Sequence, residues 1–197
     1  NSATSWTKPA TVISAMTSYL SDYGGSPGRS GHQFAAKAAH EVFETRELIA
    51  SLFNCPAAER VMFSANATHA LNFAIKGVLN PGDHVIISHM EHNAVYRTVS
   101  FLANEGIISF DIANCNERGF LDIAHLKSLI RSNTGMIICI HGSNVAGTIQ
   151  NISEIGSICS ERNILFLVDA AQSAGFVPID MVEDNIDLLA FTGHKKL

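Results

Sequence analysis

Short apolar runs recur along the chain, and most are apolar throughout instead of alternating with polar residues. This pattern is typical of strands that are buried on both faces of a parallel sheet. Six runs rich in β-branched residues predict strands at residues 61–64, 84–88, 107–112, 136–140, 164–168 and 187–191.

Helical patterns separate these runs. Apolar residues at a spacing close to 3.6 predict a helix over 34–53, and Pro9 suits the start of a helix over 10–20. Further helices are predicted at residues 70–78, 121–130 and 152–159. The alternation of strand and helix predicts an α/β fold, a mostly parallel open sheet flanked by helices with right-handed crossovers. Without repeats or a linker, residues 1–197 are predicted to form one domain.

Composition narrows the class of protein. The chain is 47% hydrophobic and 16% charged, which indicates a packed interior. A formal charge of -5 gives no basic surface for nucleic acid or an anionic membrane, and no apolar stretch approaches the roughly 20 residues of a membrane span. The first residues do not resemble a signal peptide, and the four cysteines form no CxxC pair. We therefore expect a cytoplasmic protein.

Polar residues follow the predicted strands at their carboxyl ends, where α/β sheets bind ligands. Asn66 caps a helix whose first turn holds Thr68, and Asp169 ends an apolar strand. Lys195 follows the last run in the segment FTGHKKL. Each residue alone has a simpler interpretation: a helix cap for Asn66 and Asp169, and a surface lysine for Lys195.

His89 and His92 lie three apart with Glu91 between them, which resembles part of a metal site. No third ligand follows at a convincing spacing, so no metal is predicted. A histidine for stacking or proton transfer, or a plain surface turn, is the alternative interpretation.

Together these features describe one kind of site. A helix N-terminus for phosphate, a histidine, amide groups, a buried carboxylate and a lysine amine are what a pyridoxal phosphate enzyme needs. The ordered motifs SANATHALN, MEHNAV, HGSNVAGT, LVDAAQSAG and FTGHKKL resemble class V aminotransferase-like, fold type I pyridoxal phosphate enzymes. The resemblance is to the cysteine desulfurase and selenocysteine lyase branch.

This resemblance implies roles for individual residues. Lys195 would form the Schiff base with pyridoxal 5'-phosphate, and His92 would stack on the ring and move protons. Asp169 would pair with the pyridine nitrogen, and Gln172 with the phenolic oxygen. Asn144 would lie near that oxygen and the substrate carboxylate.

The resemblance also implies contacts to the phosphate and the substrate. The phosphate would be held by Ala67, Thr68, Thr192 and His194. Arg29 and His32, in the glycine-rich segment, would approach the substrate side. His69 departs from the family, since relatives commonly carry Glu there.

Relatives continue well past the lysine into a small C-terminal domain. The substrate-binding arginine and the sulfur-receiving cysteine of desulfurases lie in that part. Residues 1–197 are therefore expected to be an incomplete pyridoxal phosphate-binding large domain, with these groups outside this chain.

The implied activity is conversion of L-cysteine to L-alanine, with transfer of sulfur to an enzyme cysteine. The implied partners are an amino acid substrate, a sulfur-acceptor protein and a second copy in a homodimer. A selenocysteine lyase, an aminotransferase or an epimerase of the same class are alternatives. A non-catalytic nucleotide-binding or interaction module is more distant, because no GxGxxG follows the first predicted strand.

Overall fold

A computed structural model describes residues 8–28 and 31–197, with the backbone alone for Lys196. The chain divides into two compact units, the first ending at Met62 and the second covering Phe63–Leu197. Within the described residues, no helix is both long and apolar enough to cross a membrane.

The first unit is helical. Its helices are α1 (Ala10–Ser18), continued by a π-helical turn (Tyr19–Tyr23), α2 (Gln33–Leu52) and a 3-10 turn (Ala58–Arg60). Pro9 occupies the N-cap of α1, as predicted for a residue without an amide donor. The π-helical turn ends at Gly24, whose φ of 35° lies in the left-handed region that glycine adopts without strain.

The second unit is a parallel sheet of five strands in the order β2-β1-β3-β4-β5. The strands are β1 (His84–Ser88), β2 (Ser109–Ala113), β3 (Thr134–Ile140), β4 (Leu165–Asp169) and β5 (Leu188–Ala190). The helices are α3 (Ala67–Val78), α4 (Asn93–Asn104), α5 (Ile123–Leu129), α6 (Ile152–Arg162) and α7 (Gly193–Lys196). This arrangement confirms the predicted α/β class with a parallel sheet.

The central strands explain the unbroken apolar runs. Ile87, Ile138 and Leu167 lie on β1, β3 and β4, and each is at most 1% exposed. Helices α3 and α4 contribute to the same core cluster, through residues such as Ile75 and Val95. The opposite face is buried too, since Ile86 of β1 and Ile137 of β3 are at most 1% exposed, and the hydrophobic effect therefore favours an apolar side chain at every position.

Two sequence predictions were wrong in detail. No strand forms at residues 61–64, where Met62 is 78% and Phe63 51% exposed. An apolar run indicates a tendency to be buried, but a strand also needs a hydrogen-bonding neighbour, and none pairs with this segment in the described chain. Strand β2 begins at Ser109 instead of Ile107: the Ile107 carbonyl accepts the Gly82 amide, before the register in which β2 pairs with β1 from Ser109 onward.

Gly156 lets α6 approach the segment before β5 closely. A Cβ atom at Gly156 would lie 1.8 Å from the Asp184 carbonyl oxygen. We expect Gly156→Ala to lower the free energy of unfolding by about 2–4 kcal/mol, because the backbone must move to remove this overlap. Urea denaturation measures the change.

Gly77 of α3 provides the matched control, since a Cβ there meets nothing within 4 Å. Gly77→Ala is expected to leave stability unchanged or raise it by up to about 1 kcal/mol. Equal effects of the two substitutions would contradict a role for close packing at Gly156.

Candidate active site

The carboxyl ends of the parallel strands lie at one edge of the sheet, and the predicted catalytic residues are placed there. Asp169 is the last residue of β4, and Lys195 belongs to the short helix that follows β5. His92 follows β1 and forms the N-cap of α4. The charges of His92 and Lys195 both act on the carboxylate of Asp169. The structure therefore brings Asp169, His92 and Lys195 close enough for their charges to interact.

Asp169 is a buried carboxylate, 2% exposed, and it accepts a hydrogen bond of 2.9 Å from the Ala171 amide. Burial raises the pKa of Asp169 above its ordinary value, while the Ala171 amide, His92 and Lys195 act in the opposite direction. An ionised carboxylate at this depth depends on such partners. Gln172 lies in the turn that follows and is half-buried.

Lys195 is half-buried, whereas His194 beside it is exposed. Thr192 occupies the N-cap position of the short helix α7, but its side chain makes no capping hydrogen bond. Its hydroxyl lies 2.7 Å from His194 Nδ1 instead.

The ring of His92 has a defined orientation. Its Nδ1 accepts a hydrogen bond of 3.1 Å from the Ala94 amide, which caps α4. Nδ1 is therefore unprotonated in the neutral ring, and Nε2 carries the proton. The ring is left with a hydrogen-bond donor at Nε2 on an exposed side chain.

Helix α3 has its N-terminus at the same edge of the sheet, because it leads through a short turn into parallel strand β1. Asn66 caps it by accepting a hydrogen bond of 2.9 Å from the His69 amide. Ala67 and Thr68 form the first turn, whose amides precede the intrahelical hydrogen bonds. The His69 ring packs against Phe73, with 4.1 Å between the ring centroids.

Asn144 lies exposed in the loop after β3. The preceding Ser143 accepts the amides of Val145 and Ala146 through its hydroxyl, which makes the turn tight. Gln150 was missed from the sequence, although it anchors this loop. Its side chain donates to the Gly119 carbonyl at 2.7 Å and accepts from the Leu121 amide at 3.0 Å.

Glu91 was also missed as a functional candidate, because the sequence suggested only a metal ligand there. In the described chain no group of three histidine, cysteine or acidic residues is arranged to hold a metal. Glu91 Oε1 instead accepts hydrogen bonds from the Ser88 hydroxyl at 2.5 Å and the Ile140 amide at 2.6 Å. A carboxylate three residues after a serine at a strand end was the only available sequence signal.

Two predicted residues belong to the first unit. Arg29 lies outside the described residues. His32 forms the N-cap of α2, where its Nδ1 accepts a hydrogen bond of 3.3 Å from the Ala35 amide. The substrate-side role of both residues stays a prediction.

Four cysteines are free, and three have thiols with raised pKa values. Burial raises the pKa of Cys139 well above its usual range, that of Cys159 to about 12, and that of Cys115 to a lesser degree. These three thiols are protonated at neutral pH and are therefore weak nucleophiles.

Curated relatives align with nearly all of this chain. "Cysteine desulfurase IscS" of Neisseria meningitidis is 38% identical over 190 residues, which cover 93% of this chain and 46% of that protein. The protein of the same name from Vibrio cholerae is 37% identical over 192 residues, again 93% and 46%. This chain thus spans about half the length of the curated relatives it matches.

Solved structures show the same fold. "SspA in complex with cysteine" superposes with a TM-score of 0.93 at 32% identity, over 99% of this chain and 56% of the other. The apo cysteine desulfurase of Thermococcus onnurineus NA1 gives a TM-score of 0.91 at 29% identity, over 100% and 49%.

The family described as "Aminotransferase class-V" matches residues 1–197. This match and the relatives confirm the resemblance drawn from the five motifs. The chain therefore belongs to the class V aminotransferase family, whose members are pyridoxal phosphate-dependent enzymes.

Proposed function

We propose that this chain binds pyridoxal 5'-phosphate and acts in a cysteine desulfurase that converts L-cysteine to L-alanine. The observation that carries the proposal is the buried carboxylate of Asp169, with the charges of His92 and Lys195 acting on it. The names of the relatives, and the solved complex of one similar protein with cysteine, support cysteine as the substrate.

The residues present fit the cofactor. The carboxylate of Asp169 suits a protonated ring nitrogen, because a buried anion at 2% exposure needs a cationic partner. The amine of Lys195 would join the cofactor aldehyde as a Schiff base. The first turn of α3, with Ala67 and Thr68, offers unpaired amides and the positive end of a helix to the phosphate.

Other side chains complete the proposed cofactor site. Thr192 and His194, which contact each other at 2.7 Å, are proposed to hold the phosphate from the α7 side. Asn144 and Gln172 follow β3 and β4, which are adjacent in the sheet, and are proposed to bind the phenolic oxygen. Asn144 is also proposed to bind the substrate carboxylate, because its amide can donate as well as accept.

Bound pyridoxal phosphate supplies an electron sink for a bond at the substrate α-carbon. With the cofactor bound, the Lys195 amine would take a proton from that carbon. The Asp169 carboxylate would keep the ring nitrogen protonated. His92 would stack on the ring and would transfer a proton through Nε2, because the Ala94 amide occupies Nδ1.

The sulfur leaves by attack of a second thiolate. A cysteine thiolate forms a bond to the substrate sulfur, the substrate carbon–sulfur bond breaks, and alanine and an enzyme persulfide result. Cys115, Cys139 and Cys159 are poorly suited to this attack, because burial raises the pKa of each thiol. As the family resemblance implies, we propose that the attacking thiol belongs to a cysteine in the part of the enzyme beyond this chain.

We also propose, as the family resemblance implies, a cytoplasmic homodimer that delivers sulfur to an acceptor protein. Free cysteines, without a disulfide among them, are compatible with a reducing compartment. Size-exclusion chromatography with light scattering tests the dimer.

The decisive experiment incubates the protein that carries this chain with pyridoxal phosphate, L-cysteine and a reductant. We expect sulfide and alanine in equal amounts, since the reductant releases sulfur from the persulfide. A control with L-alanine in place of cysteine should give no sulfide. Alanine formed from cysteine without sulfide would contradict the proposed desulfurase activity.

A further inference from the structure

Asp169 is buried and Glu91 is half-buried with its Oε2 atom buried; both carboxyl groups lie at the same edge of the sheet, and the charge of Asp169 acts on Glu91. Two carboxylates in one low-dielectric region do not both ionise readily. We propose that Glu91 is a positioning residue that holds the proton of this pair. As a neutral acid, Glu91 holds the turn that leads into His92 against β3 by hydrogen bonding. The Asp169 carboxyl then stays ionised and can pair with the cofactor. The inference deepens the proposed function and rests on it for the role of Asp169.

The contacts of Glu91 show how it positions the turn. The Ser88 hydroxyl and the Ile140 amide both donate to Oε1, at 2.5 Å and 2.6 Å. Strand pairing between β1 and β3 ends at Ile87 and Ile138, so the chain after β1 turns away from the Ile140 amide. The Glu91 carboxyl takes the place of the missing strand partner. The backbone that leads directly into His92 is thereby fastened to the end of β3.

The second oxygen indicates the protonation state. Glu91 Oε2 is buried, and it has no hydrogen-bond partner in the part of the chain that the structure describes. A buried unpaired oxygen costs much more free energy when the group is charged than when it is neutral. The geometry therefore favours the neutral acid.

The surroundings of the two carboxyls differ in charge. His92 and Lys195 act on Asp169 and stabilise its ionised form. Among the described residues, the titratable groups that interact electrostatically with Glu91 are Asp169 on β4, Cys139 on β3 and Cys115 after β2, and none of these carries a positive charge. The proton shared by such a pair resides on the carboxyl without a cationic neighbour.

The direction of the pKa shift agrees with this geometry. Burial raises the pKa of Glu91 to about 8; the Ser88 hydroxyl lowers it, Asp169 adds to the rise, and the Ile140 amide lowers it. Glu91 is thus mostly neutral at pH 7. Deprotonation above pH 8 would put a second negative charge beside Asp169, and this would set an alkaline limit for the site.

Glu91→Gln tests the proposal, because glutamine keeps the acceptor oxygen but cannot ionise. A folded-state pKa of about 8, above the unfolded value near 4.5, means that the folded state loses stability as pH rises between these values. We expect the unfolding equilibrium constant of the wild type, divided by that of Glu91→Gln, to increase on the order of a hundredfold from pH 5 to pH 8. Urea denaturation of the holoprotein at constant cofactor concentration measures it.

Glu117→Gln is the matched control, since Glu117 is exposed in a turn. For this variant we expect the ratio to stay constant with pH. A ratio for Glu91→Gln that is also constant would overturn the proposal, because it would show that Glu91 takes up no extra proton in the folded state. In Glu91→Gln the alkaline limb of the cofactor absorbance titration should also move to higher pH.

Infrared spectroscopy needs no substitution and covers the case in which Glu91→Gln fails to fold. Wild-type protein labelled with [13C]glutamate should show, at pH 7, the carbonyl stretch of a protonated carboxyl that shifts with the label and is lost at high pH. Absence of this band would overturn the proposal. If the band is present but no sulfide forms from cysteine, the desulfurase proposal fails while the protonated Glu91 stands.

Discussion

Replacing Lys195 by alanine is expected to abolish the covalent bond to pyridoxal phosphate and lower turnover of cysteine by at least about a thousandfold. The amine is needed twice, to hold the cofactor aldehyde and to move the proton at the substrate α-carbon. The visible absorbance of the bound cofactor measures the first role. Borohydride reduction followed by mass spectrometry should place the cofactor on the peptide that contains Lys195.

Lys196 provides the control, because it is the same residue type one position later. Lys196→Ala is expected to keep the absorbance and most of the activity, as the family resemblance implies for a bystander. Cofactor attached to Lys196 after reduction, or unchanged absorbance in Lys195→Ala, would contradict the assignment of Lys195.

Replacing Asp169 by asparagine is expected to lower kcat/KM for cysteine by about 10²–10³-fold. Asparagine cannot keep the ring nitrogen protonated, so the electron sink is weakened. Burial raises the pKa of the Asp169 carboxyl, so a neutral amide at this position should not destabilise the fold. The expected pattern is therefore lost activity with unchanged or slightly increased stability, measured by steady-state kinetics and urea denaturation.

Asp122→Asn is the matched control. Asp122 caps α5 by accepting a hydrogen bond of 3.0 Å from the His125 amide, and asparagine caps a helix about equally well. Both kinetics and stability should be unchanged in this variant. Full activity of Asp169→Asn would show that the ring nitrogen does not depend on this carboxylate.

Much of the fold was predictable, because its central strands are buried on both faces. Strand β1 occupies the residues that the apolar run predicted, and β3 contains all of its predicted run. The helix cap Asn66 was readable for a similar reason, since a cap is a contact between residues a few positions apart.

The proposed catalytic residues were predictable as a set of strand-end positions. Asp169 and Lys195 follow apolar runs, and parallel strands bring their carboxyl ends to one edge. Their roles came from the family resemblance, which the match to the class V aminotransferases confirmed at the level of the family.

The contacts that hold the site together were not predictable. The Glu91 carboxyl meets the Ile140 amide 49 residues away, and the Gln150 side chain meets the Gly119 carbonyl 31 residues away. Such bonds depend on which strands are neighbours in the sheet. Strand β1 pairs with β3, although β2 lies between them in the sequence and occupies the edge of the sheet. No local pattern around Glu91 encodes that arrangement.

By itself, the sequence determined the class of fold, the strands buried on both faces, the caps and the lysine that follows the last strand. These depend on the alternation of apolar and polar residues and on contacts a few positions apart. Only the tertiary structure decided the strand order and the lack of a strand partner for residues 61–64 within the described chain. It also decided the different electrostatic environments of the Glu91 and Asp169 carboxyls. The physical reason is that hydrogen bonding between strands and the desolvation of a charge depend on groups distant in the chain.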